Sequence, residues 1–185
     1  MTKIITITGD LGSGKSTVSN LLCKQLAYDY IYTGKIYREI AKKHNMTPLE
    51  LNKYSETHPE IDEEVDSVFK SLNESSDLIV DSRLAWFFIP GSFKVFLKTD
   101  AVVSANRIVE HQREHEKYES VEEAVGKILA RKESENKRYM ELYGANCADL
   151  SNFNLVVDTS FVSPEKVAEI ILSEYSLWLK NEKMN

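Results

Sequence analysis

The stretch from residue 4 to residue 17 reads Ile4-Ile5-Thr6-Ile7-Thr8-Gly9-Asp10-Leu11-Gly12-Ser13-Gly14-Lys15-Ser16-Thr17, a β-branched run that ends in a glycine loop. A short apolar run of this kind is the pattern of a strand buried on both faces. Beyond the loop, Val18, Leu21, Leu22 and Leu26 recur at helical spacing, so a strand enters the loop and a helix leaves it. Gly9 to Ser16 fit the pattern G-x-x-x-x-G-K-[ST], the phosphate-cradling P-loop. The chemistry requires each residue type. Glycines let backbone N–H groups turn inward around phosphate oxygens, Lys15 supplies a point charge to the β- and γ-phosphates, and the Ser16 hydroxyl is suited to Mg²⁺. The helix that begins here also turns its positive dipole end toward the anion. Gly9, Asp10, Leu11, Gly12, Ser13, Gly14, Lys15, Ser16 and Thr17 are therefore the candidate nucleotide-binding residues.

Working outward, a second strand is predicted over Tyr28–Tyr32, followed by a helical stripe of Ile36, Tyr37, Ile40 and Ala41. Between Asn45 and Ser76 the chain is polar and acidic. Thr47 is an N-cap candidate before Pro48, and a further helix is predicted from Pro59 to Leu72, so this stretch reads as an exposed helical insertion. Leu78-Ile79-Val80 is a compact apolar run ending at Asp81, and Val95-Phe96-Leu97 repeats it. A helix from Ala101 is expected to present Val102, Val103, Ile108 and Val109 as its apolar face. It leads into the most charged part of the chain, Glu110 to Arg138, where Val121, Ala124, Val125, Ile128 and Leu129 keep helical spacing. Leu155-Val156-Val157 gives a last strand, and Pro164 opens a helix carrying Val167, Ile170, Ile171 and Trp178. Strands alternating with helices imply an α/β fold with a parallel sheet covered on both faces.

Composition narrows the function classes. The chain has 185 residues, with Lys+Arg 23 against Asp+Glu 29 and a formal charge of −6, which suits one domain and argues against a generic nucleic-acid binder with its basic face. Any anionic substrate must be held by local cations. Cys23 and Cys147 are far apart and have no metal-spaced partners, so they read as idle or buried thiols. The longest uncharged apolar stretch, Leu84–Ile89, is far below the roughly 20 residues that span a bilayer, and Lys3 runs directly into the first strand with no secretory pattern. A cytoplasmic protein without membrane contact is expected. Nothing in the sequence demands an oligomer, and a monomer is expected.

The polar groups at strand ends refine the reading of the loop. Asp81 follows the third apolar run, where a carboxylate can hold Mg²⁺ or its waters opposite Ser16; its bland alternative is a helix or turn cap. No N-K-x-D guanine-reading pattern occurs. Arg38 lies on the helix after the second strand, Arg83 lies just past the third, and Arg107, Arg113, Arg131 and Arg138 lie on or beside the charged segment. Guanidinium groups match phosphate oxygens bidentately, so arginines converging from several elements suit a site that brings two mutually repelling phosphate esters together. A solvated helical face is the alternative for the charge run. Trp86-Phe87-Phe88 either packs in the core or lines an acceptor pocket.

Three segments then carry a resemblance. Thr33-Gly34-Lys35-Ile36-Tyr37-Arg38-Glu39 resembles the T-G-x-[IL]-[YF]-R segment of nucleoside monophosphate kinases, and Asp81-Ser82-Arg83-Leu84-Ala85 resembles the [DE]-G-R segment of cytidylate kinases. Residues 131–144, RKESENKRYMELYG, are similar to the R-x-x-S-E-x-x-R-Y-x-x-x-Y-G lid segment of short, archaeal-type cytidylate kinases, and Val156-Val157-Asp158-Thr159-Ser160 is similar to their final strand. The resemblance runs over nearly the whole chain in order, and the lid segment is more specific than the P-loop. Ser82 replaces the usual glycine, Lys35 stands where the short forms often carry Asp, His111 falls near an expected lid arginine, and Glu114–Ser120 is longer than usual.

The resemblance implies a single three-layer P-loop kinase domain with a five-stranded parallel sheet. Its core would comprise residues 1–34, 76–110 and 146–185, with a helical nucleoside-monophosphate-binding insertion at 35–75 and a lid at 111–145. It implies ATP as phosphoryl donor with Mg²⁺ as cofactor, and CMP or dCMP as the favoured acceptor. Thr33, Arg38 and Arg83 would hold the acceptor. Lys15, Arg131 and Arg138 would act on the transferring phosphoryl group, and Ser16 and Asp81 would serve the metal. Two rivals stand beside this reading: another small-molecule kinase of the same architecture, and a nucleotide-binding regulatory module without phosphotransfer.

Overall fold

The computed structural model describes residues 3–46, 48–55, 57–72, 77–110 and 118–182. The apolar runs become five strands: β1 (Ile4–Gly9), β2 (Asp29–Tyr32), β3 (Leu78–Asp81), β4 (Phe93–Lys98) and β5 (Leu155–Asp158). They form one sheet in the order β2-β3-β1-β4-β5, and every ladder is parallel. Parallel pairing requires a crossover at each step. The helices supply it: α1 (Lys15–Leu26) after β1; α2 (Thr33–Lys43), α3 (Pro48–Ser55) and α4 (Pro59–Ser71) after β2; α5 (Ala85–Phe88) after β3; α6 (Ala101–Glu110) and α7 (Val121–Tyr143) after β4; and α8 (Pro164–Glu182) after β5. The chain moves outward from β1 to β2, then crosses back over β1 between β3 and β4. The carboxyl ends of these central strands are therefore the switch point at which open α/β sheets bind ligands.

Side-chain alternation sorts the strands into two cores. Ile5, Ile7, Ile79, Val95 and Leu97 face α1 and α8, where they meet Val18, Leu22, Val167, Ile171 and Tyr175. Ile4, Leu78, Val80 and Phe96 face the other way and pack with Ile36, Leu51, Ile61, Phe69 and Trp86. A third, smaller cluster joins α6 to α7 through Ala105, Ala124 and Ile128.

The structure corrects three sequence expectations and decides a fourth that was open. The acidic stretch after Asn45 is not simply exposed: Leu51, Ile61, Val65 and Phe69 are buried and continuous with the sheet core. One apolar residue per turn, four apart along α4, is enough to seat a helix whose other positions are acidic. Val102 and Leu129, expected on apolar faces, are 53% and 50% exposed, because α6 and α7 meet through Ala105, Ile108 and Val125 instead. The second strand begins at Asp29, because the Tyr28 N–H still donates to Cys23 O at the end of α1, at 3.2 Å. Trp86 and Phe88 belong to the core, Trp86 against Phe153 and Phe88 against Phe69. The Thr47 cap lies outside the described residues. Among those described, no helix is long and apolar enough to cross a membrane.

Candidate active site

The glycine loop spans the carboxyl end of β1 and the first turn of α1, and its backbone tolerates no side chain at two places. Gly9 sits at φ +151°, and a Cβ there would lie 2.2 Å from the Leu97 carbonyl oxygen. Gly12 sits at φ +68°, with a Cβ position 2.6 Å from Ser104 Oγ. Neighbouring elements brace the loop carbonyls. Arg107 donates to Gly12 O at 3.2 Å, Thr159 O at 2.7 Å and Ser160 O at 3.1 Å. Thr159 Oγ1 donates to Ser13 O at 3.1 Å, and the Ser104 hydroxyl donates to Leu11 O. Arg107, which the sequence grouped with the converging arginines, thus ties the loop to the turn after β5.

Lys15 Nζ bridges two loop carbonyls, Gly9 O at 3.0 Å and Asp10 O at 2.8 Å. Burial, with the positive charge of Arg83 beside it, pushes the Lys15 ammonium down to about 8, against the opposing pull of Asp81, Asp10 and Glu135. One helical position further, Ser16 Oγ donates to Asp81 Oδ2 at 3.1 Å, and Tyr30 OH donates to the same oxygen at 3.1 Å. Burial first, and then the Asp81 charge, push the Tyr30 phenol upward, so Tyr30 remains a donor. Thr33 Oγ1 reaches the Asp81 backbone carbonyl at 3.3 Å. A hydroxyl beside a carboxylate at the mouth of a phosphate loop is a hard-oxygen pair. It fits a cation that takes one or two protein ligands and draws the rest from phosphates and water. Among the described residues no group of three or more His, Cys, Asp or Glu could form an all-protein cage.

The predicted arginines divide into two sets. Arg83 reaches the loop itself, donating to Gly9 O at 3.0 Å, while its Nε lies 3.1 Å from Glu135 Oε2 on α7. The other oxygen of Glu135 accepts from Arg131 Nε at 2.9 Å, so one carboxylate joins Arg131 to Arg83. Beneath them, Trp86 Nε1 donates to Arg83 O at 3.0 Å. Arg38 lies on α2 with its guanidinium 5.2 Å from the Tyr32 ring centroid, and it donates to the Tyr32 hydroxyl. Arg138 sits two turns beyond Arg131 on α7 and contacts Asp62 of α4 through both carboxylate oxygens at 2.6 Å. The structure therefore brings Lys15, Ser16, Asp81 and Arg83 together, attaches Arg131 through Glu135, and places Arg138 on the α4 side. His111 and Arg113 lie outside the described residues.

Four participants escaped the sequence reading. Lys132 of α7 pairs with Asp10 of the loop at 2.7 Å; Glu135 and Asp62 hold the arginines; and Tyr30 holds Asp81. Lys132 and Asp62 lie within charged runs, where nothing in residue type separates an inward position from a solvated one; Glu135 is the Glu of the lid segment Arg131-x-x-Ser134-Glu135, a position that the resemblance includes but gives no role. Cys147, half-buried and free, lines the narrow cleft between Arg83 and Tyr139, and burial pushes its thiol up to about 11.

Comparison with known proteins places the chain in a family. The model of the cytidylate kinase-like family matches residues 4–161. Cytidylate kinases of Pyrococcus abyssi and Thermoplasma volcanium are 37% identical over 169 residues and 39% identical over 174 residues; the first match covers 91% of both chains, the second 91% of this chain and 89% of its relative. Among solved structures, an uncharacterized protein from Eubacterium ventriosum aligns with a TM-score of 0.71 at 14% identity, covering 94% of this chain and 98% of that one. Shikimate kinase from Bacteroides thetaiotaomicron aligns at 0.65 and 15%, covering 98% of each. At such identity these structures establish a shared P-loop kinase fold and nothing about substrate. The family match and the cytidylate kinase relatives cover nearly the whole chain, site included: this chain belongs to the cytidylate kinase-like family.

Proposed function

We propose that the chain transfers the γ-phosphoryl group of ATP to a nucleoside monophosphate, CMP or dCMP, giving ADP and the nucleoside diphosphate. The observation that carries this reading is the meeting of Lys15, Ser16, Asp81 and Arg83 at the carboxyl ends of β1 and β3, in a chain related to cytidylate kinases over nine-tenths of its length. An acceptor phosphate oxygen is already anionic at neutral pH, so it attacks without a general base. The new bond forms between that oxygen and the γ-phosphorus, and the bond to the β–γ bridging oxygen breaks, leaving its electron pair on ADP.

Alignment and charge are what the protein supplies. The loop N–H groups and Lys15 cradle the donor phosphates. Arg83, steadied through Glu135 and Gly9 O, reaches the space beside them. Arg38 and Thr33 on α2 face the acceptor side, and Arg131 reaches Arg83's partner from α7. Ser16 and Asp81 are the residues that would hold Mg²⁺, which when bound offsets the phosphate charge. Arg138, paired with Asp62, acts on the transferring phosphoryl group by exchanging that partner for phosphate oxygens. A soluble, monomeric enzyme of the cytoplasm suits the net charge of −6.

A coupled assay of ADP release with ATP and Mg²⁺, run across CMP, dCMP, UMP, AMP, GMP and shikimate, tests the proposal. Turnover dependent on CMP or dCMP is expected. A preference for another acceptor would overturn the cytidylate assignment, and ADP release that no acceptor stimulates would leave a nucleotide-binding module.

A further inference from the structure

A carboxylate inside a phosphate loop is an electrostatic liability. The Asp10 side chain is nearly buried, with 9% of its surface exposed, and it lies in the loop whose N–H groups and Lys15 are arranged for a polyanion. Its position is fixed from the sheet side, where Oδ2 accepts the backbone N–H of Thr99 at 2.9 Å. That bond orients the carboxylate but leaves its charge in place. Near a triphosphate, an uncompensated negative charge at low effective dielectric opposes binding.

The other oxygen, Oδ1, accepts from Lys132 Nζ at 2.7 Å. Lys132 belongs to α7, 122 positions away in sequence, and its neighbour three residues on, Glu135, holds Arg83 against the same loop at Gly9 O. The two contacts are one helical turn apart on one face of α7, so a single docking of that helix brings a cation to Asp10 and steadies Arg83.

We propose that Lys132 is a positioning residue for the donor nucleotide. It neutralises Asp10, so that the loop presents a net attractive field to the triphosphate, and its contribution runs through Asp10 rather than through a direct contact with phosphate. This inference rests on the ATP-binding part of the reading above and not on the identity of the acceptor.

The test is a charge-compensation series on the full chain, read by calorimetric titration with a non-hydrolysable ATP analogue, adenylyl imidodiphosphate, and Mg²⁺. Lys132→Met is expected to weaken the analogue by about three- to tenfold, the effect of one nearby unscreened charge. Lys132→Arg is expected to stay near wild type. Asp10→Asn retains an oxygen acceptor for the Thr99 N–H, so Asp10→Asn combined with Lys132→Met is expected to restore affinity to within about twofold. A double variant as weak as Lys132→Met alone would show that Lys132 acts on the phosphates or on helix packing and would overturn the proposal. Unchanged affinity in Lys132→Met would overturn it too. In steady state Lys132→Met should raise KM for ATP by a larger factor than it lowers kcat. Binding is measured without an acceptor, so these outcomes stand apart from the substrate panel: a chain that binds the analogue normally but ignores CMP would fail the cytidylate assignment while leaving this one intact.

Discussion

Lys15 shows how one residue's environment sets a testable pH dependence. Its ammonium is pushed down to about 8, chiefly by burial, so it loses its charge as pH rises through that value and the free enzyme loses attraction for the triphosphate. Since kcat/KM reports the free enzyme, kcat/KM for ATP is expected to fall by about tenfold per unit above pH 8, whereas kcat at saturating ATP persists to higher pH because bound phosphates raise the ammonium again. A flat kcat/KM from pH 7 to 9.5 would contradict the environment described. Lys15→Ala is expected to abolish transfer with an unchanged circular dichroism spectrum; turnover like wild type would sink the mechanism. Gly9 is constrained by space as well as by its positive φ, since an added Cβ meets the Leu97 backbone. Gly9→Ala should destabilise the fold by about 3–5 kcal/mol in denaturant titration, combining overpacking with backbone strain.

At the scale of elements, α7 is the helix whose contacts matter most. It starts at a Ser120 cap that accepts the Glu123 N–H at 3.1 Å and ends at Gly144 with φ +67°, and along its length it meets the loop through Lys132, β3's exit through Glu135, and α4 through Arg138. The Asp62–Arg138 pair is partly exposed, 17% and 34% for the two side chains, so solvent screening limits its worth. A double-mutant cycle with Asp62→Ala and Arg138→Ala is expected to give a coupling of about 1 kcal/mol in unfolding free energy. Additive single effects would show that this ion pair adds nothing measurable to the joining of α4 and α7. The α4 helix also shows where sequence patterning fell short: its acidic residues suggested a solvated segment, yet Ile61, Val65 and Phe69 bury one narrow stripe.

For the molecule as a whole, the proposed function has donor and acceptor meet in one crevice at the sheet's switch point, so their binding energies would combine in a single ligand. A dinucleoside pentaphosphate joining adenosine to cytidine, at about one hundred times its dissociation constant, should stabilise the fold by about 2.7 kcal/mol. For a chain of this length that is a rise in Tm of about 5–10 °C. The expected order is adenosine–cytidine above adenosine–guanosine, with ATP or CMP alone below both at equal concentration. Equal shifts for the two dinucleotides would argue against a cytosine-selective acceptor site. The net charge of −6 is compatible with such anions because the cations that meet them are concentrated at the loop and on α2, β3's exit and α7.

Much of this architecture was legible in the sequence because it depends on local pattern. The β-branched run before Gly9, the spacing of Val18, Leu22 and Leu26, and the apolar runs ending at Asp81 and Leu97 specify strands, helices and their order with only neighbouring residues as context. The glycine loop was legible for the same reason: its anion site is made by consecutive backbone groups. What pairs with what was not legible. Arg131 and Arg138 read alike, yet one meets Glu135 beside the phosphate loop and the other meets Asp62 on α4. Lys132 was not distinguished from the other charges of its run, yet it pairs with Asp10. Ion pairing is set by distances between elements far apart in sequence, and a charged side chain carries no periodic signal of which neighbour it will meet. Residue pattern alone determined that a phosphate loop lies at the end of a central strand in a parallel sheet; only the tertiary placement of α4 and α7 decided which partners their charges meet.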